Sequence, residues 1–211
     1  MNKSQKQINK EHFENNKLIL SKIKTGQTTL NDRRAENLIV LLKEVIGLEG
    51  QIAEVGTYKG GSALLIAKEL SEEKFYVFDT FEGMAHYSEE HDAYHLKGAF
   101  SDASYEEVSK LLSPYPNVSV FKGVFPEDTS GEINDEDVFK FVHIDVDNYQ
   151  PYLDCMEYFY PRMQKGGIMV FDDYGFESCP GAKMAVDEFF DSRDEEGIIR
   201  GDFGGAYIIK S

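Results

Sequence analysis

From residue 51 onwards, the hydrophobic and polar positions alternate between two kinds of segment. Short, continuous apolar runs are typical of strands buried on both faces, and they occur at 51–56, 74–80, 117–123, 137–147 and 167–173. Apolar positions at helical intervals lie between or after them, at 62–70, 103–112, 151–163 and 181–191. This strand–helix alternation predicts an α/β fold with a doubly wound, mostly parallel sheet, which binds ligands beyond the carboxyl ends of its strands.

Two helices are predicted before the first strand. Residues 4–23 are polar, with apolar positions at loosely helical intervals, and 31–47 forms an amphipathic segment. Thr29 and Asp32 match an N-terminal capping box, and Gly47 suits the end of a helix. The apolar face of 31–47 is expected to be core, with a second cover over the site or a dimer surface as the alternatives.

The C-terminal residues predict a hairpin. Residues 197–211 contain two short β runs around Gly204 and Gly205. No repeat or linker divides the chain, so we interpret it as a single domain, with 1–48 as a helical cap and 49–211 as the core.

Composition narrows the classes of partner. The 211 residues carry a net charge of −16, which disfavours nucleic acid and anionic membranes. No apolar run approaches the ~18 residues of a membrane span, and the N-terminus lacks the apolar segment of a secretion signal. The two cysteines are too few for a disulfide framework and are expected to be reduced thiols. We therefore expect a cytoplasmic protein.

Acidic residues stand where the predicted strands end: Glu54, Asp79, Asp145, Asp172 and Asp173. A single acid at such a point is often only a solvated strand end. Five of them on the carboxyl rim of one sheet indicate a site for a cationic ligand or a metal ion.

The segment AEVGTYKGGSALLIA (53–67) predicts a strand, a glycine-containing turn and a helix. Gly56 permits a tight turn, while Gly60 and Gly61 leave amides free at the helix start, where a negative group is favoured. The spacing fits neither a dinucleotide fingerprint nor a P-loop. A glycine-rich turn without any ligand is the alternative for this segment taken alone.

Asp79 favours the interpretation that this segment binds a ligand. It ends the second strand about 20 residues on, where an acid can accept hydrogen bonds from both hydroxyls of a ribose. A βαβ unit with acids after strands one and two but no pyrophosphate loop suits a nucleoside without phosphates, such as S-adenosylmethionine. Its cationic groups would suit Glu54, and its carboxylate would meet the helix-start amides and the Ser62 hydroxyl.

The last two acidic strands predict a metal site. If strands 137–147 and 167–173 are neighbours, their ends lie about 5 Å apart and Asp145 faces Asp172 and Asp173. Three such carboxylates require raised pKa values or a cation among them. Oxygen ligands favour a hard ion, Mg²⁺ first and Ca²⁺ or Mn²⁺ next, which could acidify a bound hydroxyl. A solvated turn is the alternative for an isolated Asp-Asp pair.

The segments EGQIAEVGTYKGGSA, VFDTFEGM, FKGVFPEDT, VHIDVDNY, YPRMQKGGIMVFDDYGFESCPGAKMAVDEF and GGAYIIK resemble, in order, the macrocin O-methyltransferase family over residues 28–210. The resemblance implies a metal-dependent class I methyltransferase of Rossmann-like fold, with a seven-stranded sheet whose last strand is antiparallel, acting on sugar hydroxyls. It implies cofactor-binding roles for Glu54, Gly56, Tyr58, Ser62, Asp79, Gly123 and Phe125. It implies metal binding by Asp145, Asp172 and Asp173.

The general base remains open among four residues. Catechol-type O-methyltransferases, which share part of these motifs, have a lysine three residues after the first metal acid, and this chain has Asn148 there. The candidates are Asp172, Asp173, Asp147 and His143, with hydroxide near the ion as a further possibility. His143 is more often a packed strand histidine.

The segment 81–104 is predicted to be a mobile lid over the acceptor, which is expected to be a sugar. It contains three histidines and two tyrosines: His86, His91, His95, Tyr87 and Tyr94. An ordinary surface loop is the alternative to a lid. A metal site is disfavoured, because the spacing of the three histidines suits no compact site. The N-terminal part is shorter and more polar than the family resemblance leads us to expect.

Our leading hypothesis is a Mg²⁺-assisted, S-adenosylmethionine-dependent O-methyltransferase acting on a sugar or polyol hydroxyl, with a homodimer and a monomer both left open. A metal-dependent glycosyltransferase using Asp145-Val-Asp147 as a DxD motif is the alternative enzyme, although it leaves Glu54 and Asp79 without a role. A non-catalytic nucleoside-binding protein is the third possibility.

Overall fold

The fold was analysed in a computed structural model, which describes residues 30–70, 72–191, 193, 198–201 and 204–211. The helix predicted over 4–23, and Thr29 of the predicted capping box, lie outside these residues. The helices are α1 (Asp32–Glu44), α2 (Gly61–Glu69), α3 (Tyr105–Leu112), α4 (Tyr149–Phe159) and α5 (Pro180–Asp191). The strands are β1 (Gln51–Val55), β2 (Phe75–Asp79), β3 (Val118–Lys122), β4 (Phe139–Ile144), β5 (Met163–Phe171), β6 (Ile199–Arg200) and β7 (Ala206–Ile209). Two short 3₁₀ turns span Ser130–Glu132 and Tyr160–Arg162.

The strands form one sheet in the order β3-β2-β1-β4-β5-β7-β6. Strands β1 to β5 pair in parallel, while β7 is antiparallel to both β5 and β6. The predicted Rossmann-like class, mostly parallel sheet and antiparallel last strand are therefore confirmed. The terminal hairpin is also present, formed by β6 and β7.

Helices cover both faces of the sheet, which explains the continuous apolar strands. Side chains alternate between the faces, so Ile168 and Val170 of β5 pack in one core with α1, α2 and α3. Met169 and Phe171 pack in the other core with α4 and α5. This alternation decides where each acidic residue at a strand end can point.

Helix α1 begins two residues later than a capping box with Thr29 as its N-cap requires. Its N-cap is Asn31, whose Oδ1 accepts a hydrogen bond from the backbone N–H of Arg34 at 3.0 Å. The helix ends at Glu44, and Gly47 follows it with a φ of 91°. Within the described residues, no helix has both the length and the apolar character needed to cross a membrane.

Candidate active site

A cavity opens at the carboxyl ends of β1, β2 and β4, beneath part of the 81–104 loop. Five of the residues predicted to bind the cofactor line it: Gly56, Tyr58, Asp79, Gly123 and Phe125. Three of the predicted acids line it as well: Asp145, Asp147 and Asp173. The cavity is therefore bounded by residues from both the cofactor half and the acidic half of the sequence prediction.

The turn after β1 lies unusually close to the end of β4. Gly56 has a φ of 88°, and a Cβ placed on it would lie 1.9 Å from the carbonyl oxygen of Asp145. Only glycine fits this position, because both the backbone conformation and the space exclude a side chain. The close approach places the two halves of the cavity side by side.

Asp79 holds the loops that surround the donor end. Its Oδ2 accepts a hydrogen bond from the N–H of Tyr58, and its Oδ1 accepts one from the N–H of Phe81, both at 2.7 Å. Tyr58 itself has a φ of 52°, a conformation that a non-glycine residue adopts only where its surroundings hold it. Burial raises the pKa of Asp79, and the two amide hydrogen bonds oppose this rise.

Gly123 and Phe125 line the cavity beside the end of β2. The N–H of Gly123 donates to the carbonyl of Asp79 at 3.0 Å, which ties this part of the cavity wall to the end of β2. Phe125 is buried, and its ring lies 4.7 Å from that of Phe78 and 4.8 Å from that of Phe159. These contacts give the cavity a fixed aromatic surface near the predicted adenine position.

Glu54 and Ser62 are not among the described residues that line the cavity. Glu54 is fully buried within β1 and points to the α1 face of the sheet, where its Oε1 lies 2.9 Å from Nδ1 of His143. Ser62 is buried in the first turn of α2. The alternation of side chains along β1 explains the placement of Glu54, since Val55 and not Glu54 borders the cavity.

The acids of β4 and β5 divide between the two faces of the sheet. Strands β4 and β5 are neighbours, which is the condition that the metal-site prediction set, and Asp145 and Asp172 approach each other on the α1 face. Together with His143 they form a group whose potential ligand atoms lie within 4.8 Å of one another. Asp173 is not in this group, because its carboxylate is held instead by the N–H of Asp147 and the hydroxyl of Tyr152.

The side chain of Asp173 lies instead on the α4 face of the sheet, where it contacts Tyr152. Its Oδ2 accepts a hydrogen bond from the N–H of Asp147 at 3.0 Å and lies 2.9 Å from the hydroxyl of Tyr152. Tyr152 is fully buried and also reaches the carbonyl of Ile144. The structure thus gives Asp173 a visible role in fixing the chain that follows β4.

On the α1 face of the sheet, Arg34 of α1 lies near both Asp145 and Asp172. Its guanidinium contacts the carboxylate of Asp172 and lies 3.6 Å from Oδ1 of Asp145. It also lies 5.1 Å from the ring centroid of Phe176. Burial and the charge of Asp173 raise the pKa of Asp145 well above its ordinary value, and Arg34 opposes this rise.

His143 connects Glu54 to this acidic pair. It is fully buried, and its Nε2 lies 3.6 Å from Oδ1 of Asp172 without making a hydrogen bond. It does not line the cavity, so direct contact with an acceptor would need a rearrangement. Of the four base candidates, Asp147 and Asp173 border the cavity.

Of Asp147 and Asp173, Asp147 has the unusual backbone conformation. Its φ of 58° places it in the left-handed region, which is uncommon for a non-glycine residue. Burial and the nearby charge of Asp173 raise its pKa to about 8. Its Oδ1 lies 3.6 Å from Nε2 of His95 and 3.3 Å from Sγ of Cys179.

The 81–104 loop is hydrogen-bonded to the start of α4. Asn148 donates from Nδ2 to the carbonyls of His86 (2.6 Å) and His95 (3.0 Å). Asp92 is buried, and its Oδ1 accepts a hydrogen bond from the N–H of Tyr149 at 2.9 Å. The residue that replaces the lysine of catechol-type enzymes therefore holds the loop in place.

Comparison with known proteins identifies the family. The profile described as Macrocin-O-methyltransferase (TylF) matches residues 1–209. The chain belongs to this family. It is therefore a methyltransferase, and the family resemblance inferred from the motifs is confirmed. The glycosyltransferase and non-catalytic alternatives lose their basis.

Individual relatives agree with this assignment. Demethyldecarbamoylnovobiocin O-methyltransferase from Streptomyces niveus is 29% identical over 86% of this chain and 75% of its own length. The 8-demethyl-8-(2,3-dimethoxy-alpha-L-rhamnosyl)-tetracenomycin-C 4'-O-methyltransferase from Streptomyces olivaceus is 24% identical over 74% of this chain and 66% of its own. The solved structure of the O-methyltransferase NovP has a TM-score of 0.72 and 27% identity, covering 88% of this chain and 82% of that one.

Sequence reasoning missed several residues at the site. Arg34 lies in the helix that precedes the first strand, and nothing in its local pattern distinguishes it from its neighbour Arg33. Tyr152 and Cys179 reach Asp173 and Asp147 only through the packing of α4 and α5. The one available signal was the unusual density of polar residues around the apolar strand ends, which does not specify partners.

Proposed function

We propose that this O-methyltransferase transfers a methyl group from S-adenosylmethionine to a hydroxyl of a sugar or related polyol, with a Mg²⁺ ion beside the acceptor. The observation that carries the proposal is one cavity that is lined both by Asp79, at the end of β2, and by Asp147, after β4. The donor end resembles a nucleoside site and the other end offers carboxylates to a hydroxyl group.

Three features support the donor site. The carboxylate of Asp79 has about four lone-pair sites, so it retains acceptor capacity for a ribose hydroxyl beside the hydrogen bonds from the N–H groups of Tyr58 and Phe81. Phe125 supplies an apolar surface for the adenine ring of the donor. The N-cap of α2 is Gly60, which makes no side-chain capping bond, so the first amides of this helix suit the carboxylate of the donor.

A sugar acceptor is supported by the relatives. The Streptomyces olivaceus protein is named for methylation at the 4' position of a compound that carries a rhamnosyl group. The far end of the cavity contains Asp145, Asp147 and Ser178, which can hydrogen-bond neighbouring hydroxyls. We propose that the acceptor presents two adjacent oxygens to this end.

The residues present fit a divalent ion. Asp145 and Asp172 supply oxygen ligands, and the buried Nε2 of His143 is directed towards them without a hydrogen-bond partner. Glu54 on Nδ1 of His143 matches the carboxylate–histidine pattern that orients metal-binding imidazoles. A bound ion would orient the acceptor oxygens and lower the pKa of the reacting hydroxyl. We propose Asp145 and Asp172 as ligands; Asp173, predicted as the third, would have to turn away from Tyr152.

Asp147 is our proposed general base. Its pKa of about 8 is close to the pH at which such an enzyme operates, which suits proton transfer. It would accept the hydroxyl proton while the oxygen attacks the methyl carbon, and the carbon–sulfur bond of the donor breaks with its electrons staying on sulfur. The surrounding residues then act mainly by positioning the two reactants.

Methyl transfer from labelled S-adenosylmethionine to a panel of glycosides, with and without Mg²⁺, tests the proposal. We expect methylated product that depends on Mg²⁺, and a loss of at least about 100-fold in rate for Asp172→Asn while S-adenosylhomocysteine binding is kept. Asp135→Asn, which alters an exposed acid, is the matched control. Full turnover by Asp172→Asn would refute the metal role, and methylation of phenols alone would refute the acceptor class.

A further inference from the structure

The part of the cavity wall formed by His95, Asp147 and Cys179 is a second group of potential metal ligands. Its three potential ligand atoms, one from each residue, all lie within 4.8 Å of one another. They come from three separate segments: the 81–104 loop, the chain after β4, and the residue directly before α5. The acidic pair at Asp145 and Asp172 uses none of them.

The distances suit a tetrahedral centre. Bonds of about 2.0–2.3 Å at tetrahedral angles place neighbouring ligand atoms roughly 3.3–3.8 Å apart. In the structure, Nε2 of His95 lies 3.6 Å from Oδ1 of Asp147, and Sγ of Cys179 lies 3.3 Å from the same oxygen. Both separations therefore match before any side chain moves.

Each ligand is held by contacts that do not involve the other two side chains. The carbonyl of His95 accepts a hydrogen bond from Asn148, which fixes the loop that carries the imidazole. The N–H of Asp147 donates to Asp173. The N–H of Cys179 donates to the carbonyl of Phe176, so all three backbones are anchored.

We propose that His95, Asp147 and Cys179 bind a thiophilic divalent cation of the Zn²⁺ class, with its fourth position open to the cavity. Imidazole and thiolate ligands select Zn²⁺ or Co²⁺ over Mg²⁺, so this centre is chemically distinct from the oxygen-rich pair. Binding must release the thiol proton of Cys179. The cation would join the 81–104 loop to the core and occupy Asp147, and it would therefore inhibit methyl transfer.

Co²⁺ is the probe that reports directly on this site, because a thiolate ligand gives it a charge-transfer absorption band. The chain has only two cysteines, so the band can arise from Cys179 or Cys155 alone. We expect the reduced full-length protein to develop the band with one equivalent of Co²⁺ and to lose it when Zn²⁺ is added. Cys179→Ser should abolish it, and Cys155→Ala, which removes a thiol buried in the core, should keep it.

The histidine is tested in the same way. We expect His95→Ala to weaken Co²⁺ and Zn²⁺ binding by at least about tenfold, because losing a residue that merely hydrogen-bonds to a metal ligand already lowers metal affinity by about tenfold or more. His91→Ala, in the same loop but stacked on Tyr149, is the matched control and should bind as the wild type does. No band in the wild type, or a band that persists in Cys179→Ser, would overturn the proposal. Neither outcome depends on whether the chain methylates sugars.

Discussion

Asn148→Ala tests whether the 81–104 loop is held in place by one side chain. The buried amide of Asn148 donates to two loop carbonyls, those of His86 and His95, at 2.6 and 3.0 Å. Each hydrogen bond contributes about 1 kcal/mol net, so their loss should cost about 2 kcal/mol, or roughly a 30-fold larger open population. The start of α4 should be unaffected, because Asn148 makes no side-chain capping bond there.

Hydrogen exchange measured by mass spectrometry checks this expectation. We expect peptides from 84–99 to exchange faster by roughly 30-fold in Asn148→Ala, while peptides of β4 keep their rates. Asn134→Ala removes an exposed side chain that accepts a hydrogen bond from the nearby N–H of Glu136, and it serves as the control. If exchange in 84–99 changes by less than about twofold while the variant remains folded, the loop is held by other contacts and the reasoning is wrong.

Three further predictions follow from the acidic half of the site and the turn beside it. Arg34→Gln should strengthen Mn²⁺ or Mg²⁺ binding by about tenfold or more, because the positive charge of Arg34 competes with the metal ion for the carboxylates of Asp145 and Asp172. Calorimetric titration, with Arg33→Gln as the control, checks this. Gly56→Ala should lower the free energy of unfolding by about 3 kcal/mol or more in urea titrations, since its Cβ would lie 1.9 Å from the Asp145 carbonyl; an unchanged midpoint would contradict the close approach. The pKa of Asp147 rises from 3.8 to about 8 on folding, so the folded state binds the extra proton between these values. The free energy of unfolding should therefore fall as pH rises from 5 to 8, less steeply in Asp147→Asn, and equal slopes would refute the shift.

The strands could be predicted because their signal is local. Runs such as GIMVF are apolar at every position only when helices cover both faces, and β5 occupies that segment. Acids directly after such strands must reach the carboxyl rim, as Asp79 and Asp145 do. These parts of the prediction depend on chain direction and not on side-chain packing.

The grouping of the acids could not be predicted in the same way. We expected Asp172 and Asp173 to meet Asp145 together, but in the turn that follows β5 their side chains diverge. Asp172 therefore meets Arg34 and His143, while Asp173 meets Tyr152. The end of the strand could be located from the sequence, whereas the identities of the partners depend on how α1 and α4 pack.

Calorimetric titration with S-adenosylhomocysteine tests the central claim, that Asp79 anchors the donor in this cavity. We predict binding at a single site in the wild type and affinity weaker by about tenfold or more in Asp79→Asn, because a carboxylate–hydroxyl hydrogen bond contributes about 1.5–3 kcal/mol. Absence of binding by the wild-type protein, or equal affinities for the two proteins, would contradict the account.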